Sequence, residues 1–390
     1  MSAAWPVIPL GNFLAERREA PSDIDLLSGK TRIVDKVSFN DGRIHLRQSQ
    51  ETKTGMILVR PGDILVSGIN AAKGAIAIHD AEASEPLAAT IHYGAYQADK
   101  ARAHPKFLWW LLRSNFFRDL LAKHLPGGIK TELKSKRLLP IPVPLPPLAE
   151  QRRIVARIEE LAAKVKAAQN ARKDASREFS ALYAKQLFTA FNTVADSQTT
   201  IGAEFVVTTG GTPSRSNPSY WGGMNAWVSS GEVAFRAITD TREKITDLGL
   251  NGSNAKIYPP GTVLLAMIGQ GKTRGQCAIL ECPAATNQNV AAIHVTKTSH
   301  SPRFVYWWLF ANYQKSRATE TGTAQPALSA DRVKQMAIPL PTRDQQERIV
   351  AQLDILQLKV DAVKKLQTET ATELDAMLPA ILDKAFKGEL

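Results

Sequence analysis

Cysteine is nearly absent: Cys277 and Cys282 are the only two in 390 residues. That excludes a disulfide framework and a four-cysteine zinc site, and reads as two ordinary thiols in a reducing cytosol. Long apolar runs are missing too. None reaches the roughly 18 residues a membrane-spanning helix needs, and the opening MSAAWPVIPL has neither the basic start nor the apolar core of a signal peptide. A cytoplasmic protein without a membrane partner is expected. The seven histidines, His45, His79, His92, His104, His124, His294 and His300, are scattered with no pair at metal-ligand spacing. There is no Gly-x-Ser-x-Gly elbow, and the acidic residues form no arrangement suited to a two-metal nuclease. No catalytic residue and no bound metal are expected.

What is present is apolar residue in quantity and positive charge. A hydrophobic content of 44% supports real cores, and the length calls for at least two of them. The net charge of +12 is unevenly spread. It is +6 over 1–148 (20 − 14), +3 over 149–196 (9 − 6), +5 over 197–341 (13 − 8) and −2 over 342–390 (7 − 9). A surplus concentrated on the two globular blocks favours a polyanionic partner.

The chain is one unit written twice. Pro144-Leu145-Pro146 is followed by Gln151, Arg153, Ile154, Val155 and Ala156. Pro339-Leu340-Pro341 is followed by Gln346, Arg348, Ile349, Val350 and Ala351, at a constant offset of 195. Leu133 with Leu328, Arg137 with Arg332 and Ala190-Phe191 with Ala385-Phe386 keep that offset. Pro61-Gly62 with Pro260-Gly261, and Trp109-Trp110 with Trp307-Trp308, match after small insertions.

Before each Pro-Leu-Pro, short apolar runs broken by Gly, Pro, Asn and Ser read as strands: Met56 to Arg60, Asp63 to Val66, Thr262 to Ile268. Phe107 to Lys123 and Phe304 to Arg317 read as helices, with their paired tryptophans in the core. After each Pro-Leu-Pro the pattern becomes a heptad. One seam is Ile154, Ile158, Leu161, Val165, Ala168, Arg172, Ala175, Phe179 and Leu182. The other is Ile349, Leu353, Leu356, Val360, Val363, Gln367, Thr370, Leu374 and Met377. Helices of about 40 residues, roughly 60 Å long, outrun one domain, so the two seams are expected to bury against each other, antiparallel. The expected fold is α+β: two mixed α/β domains, 1–146 and 197–341, held apart by spacer helices 147–196 and 342–390 with approximate two-fold symmetry.

Two motifs suggest chemistry and then fail its requirements. Ala266-x-x-x-x-Gly271-Lys272-Thr273 follows a strand, but a phosphate loop must open a helix, and Arg274 to Leu280 resumes as a strand. A β-hairpin tip bearing Gln270, Lys272, Thr273 and Arg274 suits phosphates and guanine edges better. Asn217-Pro218-Ser219-Tyr220 resembles the Asn-Pro-Pro-Tyr loop of amino-methyltransferases, but the second Pro and a Gly-rich cofactor loop are missing.

The stretch Pro144 to Val155 (PLPPLAEQRRIV) resembles the junction motif of type I restriction-modification specificity subunits. Its second copy, Pro339 to Val350, resembles it with Thr342 and Asp344 in place of Pro147 and Ala149. The terminus Ala385 to Leu390 resembles that family's ending. Gly211-Thr212-Pro213-Ser214, Asn225 to Glu232 and Gly261 to Gly275 resemble its second globular domain. The resemblance implies that each globular domain is a target-recognition domain reading half of a split, asymmetric site on double-stranded DNA, with the helices as a ruler for the unread gap. It implies two methyltransferase subunits docked on the helices, motor-nuclease subunits joined through them, and S-adenosylmethionine carried by the partner methyltransferase, with no cofactor on this chain. The candidate DNA-binding residues are Arg43, Arg47, Gln48, Asn70 and Lys73 in the first domain. In the second they are Trp227, Ser229, Arg236, Gln270, Lys272, Thr273 and Arg274. Candidate partner-binding and spacer positions are Gln151, Arg153, Ile154, Ile158, Leu161, Val165, Gln346, Arg348, Ile349, Leu353, Leu356 and Val360. Other readings are a specificity subunit serving a fused methyltransferase-nuclease, a helix-binding scaffold that reads no DNA, and a self-sufficient methyltransferase.

Overall fold

The structure is a computed structural model that describes residues 5–49, 54–124, 132–192, 194, 198–269, 271–314 and 328–390. It divides into two compact units, Met1–Lys173 with Thr368–Leu390, and Asp174–Gln367. Both divisions fall inside long helices, so each helix lends one end to each unit.

The first unit holds β1 (Val7–Pro9), β2 (Leu14–Glu16), β3 (Arg32–Val37), β4 (Ile44–Leu46), β5 (Met56–Val59) and β6 (Ile64–Ser67). It continues with β7 (Ile76–Ile78), β8 (Leu87–Thr90), β9 (Tyr93–Ala98) and β10 (Pro142–Pro144). The sheets run in the orders β2-β9-β6-β7 and β4-β3-β8-β5, and β1 pairs with β10. The second unit holds β11 (Gln198–Thr200), β12 (Val207–Thr209), β13 (Trp221–Val228), β14 (Arg236–Ile238) and β15 (Glu243–Ile245). Then come β16 (Val263–Ala266), β17 (Cys277–Leu280), β18 (Ala284–Thr286), β19 (Val290–Ile293) and β20 (Ala337–Pro339). Here the orders are β12-β19-β16-β17-β14 and β15-β13-β18, with β11 on β20. In both units the entering strand pairs antiparallel with the strand that ends at the Pro-Leu-Pro, Val7 opposite Pro144 and Gln198 opposite Pro339. Proline tolerates these short edge ladders because few backbone donors are needed there.

Apolar runs without alternation, such as VLLA in β16 and VAAI in β19, are buried on both faces, which is what a strand covered on two sides requires. Successive residues point to opposite faces and enter different cores. Val263, Leu265, Ala291 and Ile293 join the helices, whereas Leu264, Ala266, Val290 and Ala292 meet Ala226, Val228 and Ala284 of the smaller sheet. The first unit repeats this. Ile64, Val66 and Ile76 face the helices, and Leu65 and Ala77 face Val34, Val59 and Ala89.

The longer helices are α1 (Pro105–Arg113), α2 (Asn115–His124), α3 (Leu148–Asn192), α4 (Pro302–Ala311) and α5 (Arg343–Lys387). The single helix expected over 107–123 is two. Ser114 leaves helical geometry at ψ 158° and accepts from Phe117 N–H at 3.1 Å, which caps the second helix. Its counterpart ends at Ala311, and residues 315–317 lie outside the described set. Counted from the first-turn proline of each helix, Trp110 matches Trp307, so the earlier pairing of Trp109-Trp110 with Trp307-Trp308 is out of step by one residue.

α3 and α5 run antiparallel within each unit. In the first, Ile154 and Ile158 share a core with Leu382 and Phe386, while Gln169 Nε2 donates to Asp375 at 3.0 Å. In the second, Ser176 donates to Gln367 and Tyr183 Oη to Gln357 Oε1 at 2.6 Å. The seam departs from the strict heptad. Ala168, Ala175, Leu182, Thr370 and Met377 are exposed, and Gln169, Ser176, Tyr183, Ala371 and Leu378 take their places. A straight α-helix repeats every 3.6 residues, so a 3.5-residue pattern drifts off the contact line within a few turns. The polar residues on the observed line are accommodated because they bond across it.

Candidate nucleic-acid interface

Each unit projects a hairpin from its helix-backed sheet, β6–β7 in the first and β16–β17 in the second, both antiparallel. Counting from Pro61-Gly62 and Pro260-Gly261, Lys73 and Lys272 fall at the same place on the two tips, and both are exposed.

The second tip turns through Gly269, Gly271 and Gly275 at φ 129°, 81° and 83°, where a Cβ would be strained. β17 follows and no helix opens there, so the phosphate-loop requirement is unmet. The Tyr313 hydroxyl donates to the backbone carbonyl of Lys272. The Tyr313 ring meets Phe235, with centroids 4.9 Å apart, and Phe235 also meets Phe310 at 4.8 Å. Phe235 has φ 54°, the one described non-glycine residue at positive φ. Its N–H donates to Cys277 O at 2.8 Å, and the next residue, exposed Arg236, lies beside Ala278 in β14. Arg236 and the tip therefore share one end of the sheet, and Thr273 stands there half-buried.

Three expectations for this unit are corrected. Trp227 is 2% exposed, with its indole N–H on Gly211 O at 3.0 Å, so it is core and meets no base edge. Arg274 is 7% exposed and folded into the unit, whereas a base reader must reach solvent. Ser229 is committed to a capping box, its hydroxyl and N–H both donating to Glu232 Oε2 at 2.9 and 3.0 Å. Gln270 lies outside the described residues. Asn217 caps a short 3-10 turn ahead of Trp221.

In the first unit Arg43 is well exposed beside Asp41 at 3.3 Å, Arg47 stands 3.9 Å from Asp35, and Gln48 is exposed. Asn70 is half-buried on the tip, and Lys73 Nζ lies 5.8 Å from the Phe39 ring. Arg113 was missed. It closes α1, donates to Phe39 O at 3.3 Å and Asn40 O at 2.6 Å, and stacks 4.6 Å from the Trp109 ring. Burial pushes its guanidinium down to about 10, partly offset by Asp41. Neither Arg113 nor Phe235 stands out in sequence, because each acts through chain that is distant along it.

The junction residues divide. Gln151 and Gln346 are fully buried, so they are latches and not partner-facing. Gln151 accepts from His104 N–H at 2.7 Å and donates to Arg102 O and Pro146 O at 3.0 and 2.8 Å. Gln346 accepts from Ser301 N–H at 2.9 Å, donates to Pro341 O at 2.8 Å and meets His300 Nδ1 at 2.9 Å. Each latch fixes the start of a long helix to the N-cap residue of the first-turn-proline helix. Ile154, Ile158, Ile349, Leu353 and Val360 are buried, and Leu161, Val165 and Leu356 half-buried, in their own units, which removes the buried ones from a docking face. Arg153 and Arg348 are exposed, and Arg153 also reaches Leu390 O at 2.7 Å. Among the described residues no cluster could hold a metal ion, and no helix is long and apolar enough to cross a membrane. Burial raises the Cys277 thiol well above its usual range.

The Type I restriction modification DNA specificity domain matches residues 203–370. The MjaIX specificity subunit of the type I restriction enzyme of Methanocaldococcus jannaschii is 27% identical over 40% of this chain and 36% of its own length. A type I specificity subunit of Escherichia coli is 24% identical over 37% of each. The matched stretch thus spans little more than a third of these curated relatives. Two solved structures share the fold along the whole chain. One, from work on complex assembly and conformational transition of the type I system, has a TM-score of 0.81 at 23% identity, covering 100% of this chain and 99% of its own. The other, the HsdS subunit of Thermoanaerobacter tengcongensis, has 0.63 at 22%, covering 100% and 98%. Residues 203–370 therefore carry a type I restriction modification DNA specificity domain, and the chain as a whole shares the fold of these two solved structures.

Proposed function

We propose that the chain is the non-catalytic DNA-reading subunit of a cytoplasmic type I complex, each unit reading one half of a bipartite site on double-stranded DNA. The observation that carries this is the duplicated hairpin with an exposed lysine at the same tip position, Lys73 and Lys272, near an exposed arginine in each unit. Lysines supply phosphate affinity, while base discrimination falls to side chains that reach a groove; Arg43 and Arg236 are the leading ones.

Two methyltransferase subunits dock on the long helices and carry S-adenosylmethionine; motor-nuclease subunits join through them. In support, the second unit's helix pair leaves Leu182 and Ile355 more than half exposed, and both line one groove with Lys185 and Lys359. Apolar surface of that kind marks a contact site.

Selection of the full chain against duplexes carrying randomised base pairs tests the reading. Two short motifs at a fixed gap are expected. Arg236→Ala should relax one position at a cost of about 1–3 kcal/mol, and Lys272→Ala should weaken all sequences alike and lower the salt slope by about 1. Enrichment of no motif by the chain would remove the proposal. One heptad inserted into both long helices adds about 10 Å, or roughly 3 base pairs. The gap should lengthen with both motifs intact.

A further inference from the structure

Arg113 is an expensive residue to keep half-buried. It makes no ion pair among the described residues, and its Nε–H is enclosed without a partner. Its hydrogen-bond and stacking partners are backbone carbonyls and an indole face, while the nearby charges oppose each other, Asp41 favouring its charged form and Arg118 disfavouring it. A buried cation satisfied in this way is retained where its geometry matters.

That geometry joins two segments. The turn between β3 and β4 runs through Phe39, Asn40 and Arg43 and closes with Ser38 N–H on Arg43 O at 2.9 Å. Arg113 holds its Phe39 and Asn40 carbonyls. Gly42, at φ 69°, lies so close that a Cβ would stand 2.7 Å from Ile76 O and 2.9 Å from the Trp109 ring. On the other side the hairpin tip leans on the same turn: a Cβ on Gly74 would lie 3.0 Å from Phe39 O, and Lys73 covers the Phe39 ring. The second unit has an analogous support. Phe310, the same number of residues past its helix's first proline, packs on Phe235, immediately before exposed Arg236.

We propose that Arg113 is the positioning residue of the first unit's half-site, tying the turn that bears Arg43 to the hairpin that bears Asn70 and Lys73 so that both face DNA as one surface. This rests on the DNA-reading function above. Arg113 contacts no DNA itself. Its loss should blur sequence preference while leaving phosphate affinity intact, because the lysines and arginines remain present but lose their mutual register.

The test is the randomised-duplex selection, run on the full chain and on Arg113→Met and Arg113→Lys, with salt titration and thermal melting of each. Wild type should enrich two motifs. Arg113→Met should lose about tenfold in preference at one motif, the scale of a single mismatched base pair, with the other motif and the salt slope unchanged. The lysine variant supplies a readout that simple structural damage would not move. The burial that disfavours charge on Arg113 should also disfavour it on a lysine at this place, so that lysine should lose its proton at lower pH than an exposed one. Arg113→Lys should therefore read both motifs at neutral pH and one in mild alkali, and it carries the test if the methionine variant does not fold. Retention of both motifs by Arg113→Met, loss of both together, or a salt slope lower by about 1 would overturn the proposal. Enrichment of no motif by wild type would sink the DNA-reading function itself.

Discussion

Replacing Gln346 with leucine separates a latch from a docking residue. The side chain is fully buried and its shape is nearly kept, so the loss is of hydrogen bonds. Ser301 N–H and Pro341 O, now bonded to it at 2.9 and 2.8 Å, would be left without partners. Each orphaned buried group costs about 1–3 kcal/mol, so the pair should cost about 3 kcal/mol. In a unit of this size that lowers Tm by about 6–12 °C. Calorimetry or urea unfolding of the full chain reads the effect directly. Arg348→Ala, two positions along and exposed, is the control and should stay within about 0.5 kcal/mol. Gln151→Leu should act as Gln346→Leu does, but on the first unit. A Gln346→Leu chain that melts like wild type yet fails to hold a partner would refute the latch and restore the docking role.

The observed helix seam predicts that Leu182→Ser is nearly neutral while Tyr183→Ala costs about 3 kcal/mol; equal effects in urea would restore the strict heptad. His104 is held below its usual 6.5 chiefly by burial, then by Arg152 and Lys106, with Glu159 opposing. A histidine depressed in the folded state gives stability that is full above its unfolded pKa and declines as pH falls through the depressed value. First-unit melting should therefore weaken below pH 6.5, and His104→Asn should flatten that part of the curve. Phe386→Ala removes an edge-on contact with Phe107 at 5.5 Å and should cost about 3–5 kcal/mol, read as a lower melting temperature of the first unit alone.

The duplication, the junctions and the long helices are legible because they rest on periodicity and self-similarity, which local residues carry. The strands at Met56–Val59, Ile64–Ser67 and Val263–Ala266 also match the runs that suggested them. What sequence could not show is which polar residue is turned inward. Gln169 and Tyr183 sit on the seam because partners on the opposite helix satisfy them, and those partners lie 206 and 174 residues away in the chain. Trp227 and Arg274 looked like base readers by type, and burial alone disqualifies them. Arg113, Phe235 and Tyr313 went unnoticed for the same reason: their meaning lies in loops they support.

Because Thr368–Leu390 belongs to the first unit, that unit is completed only by chain that lies beyond the whole of the second unit. Leu382, Ala385 and Phe386 must arrive before the surface around Ile154 and Phe107 is covered. Losing Thr368–Leu390 would therefore injure the distant first unit and leave the segment of the adjoining second unit, Asp174–Gln367, whole.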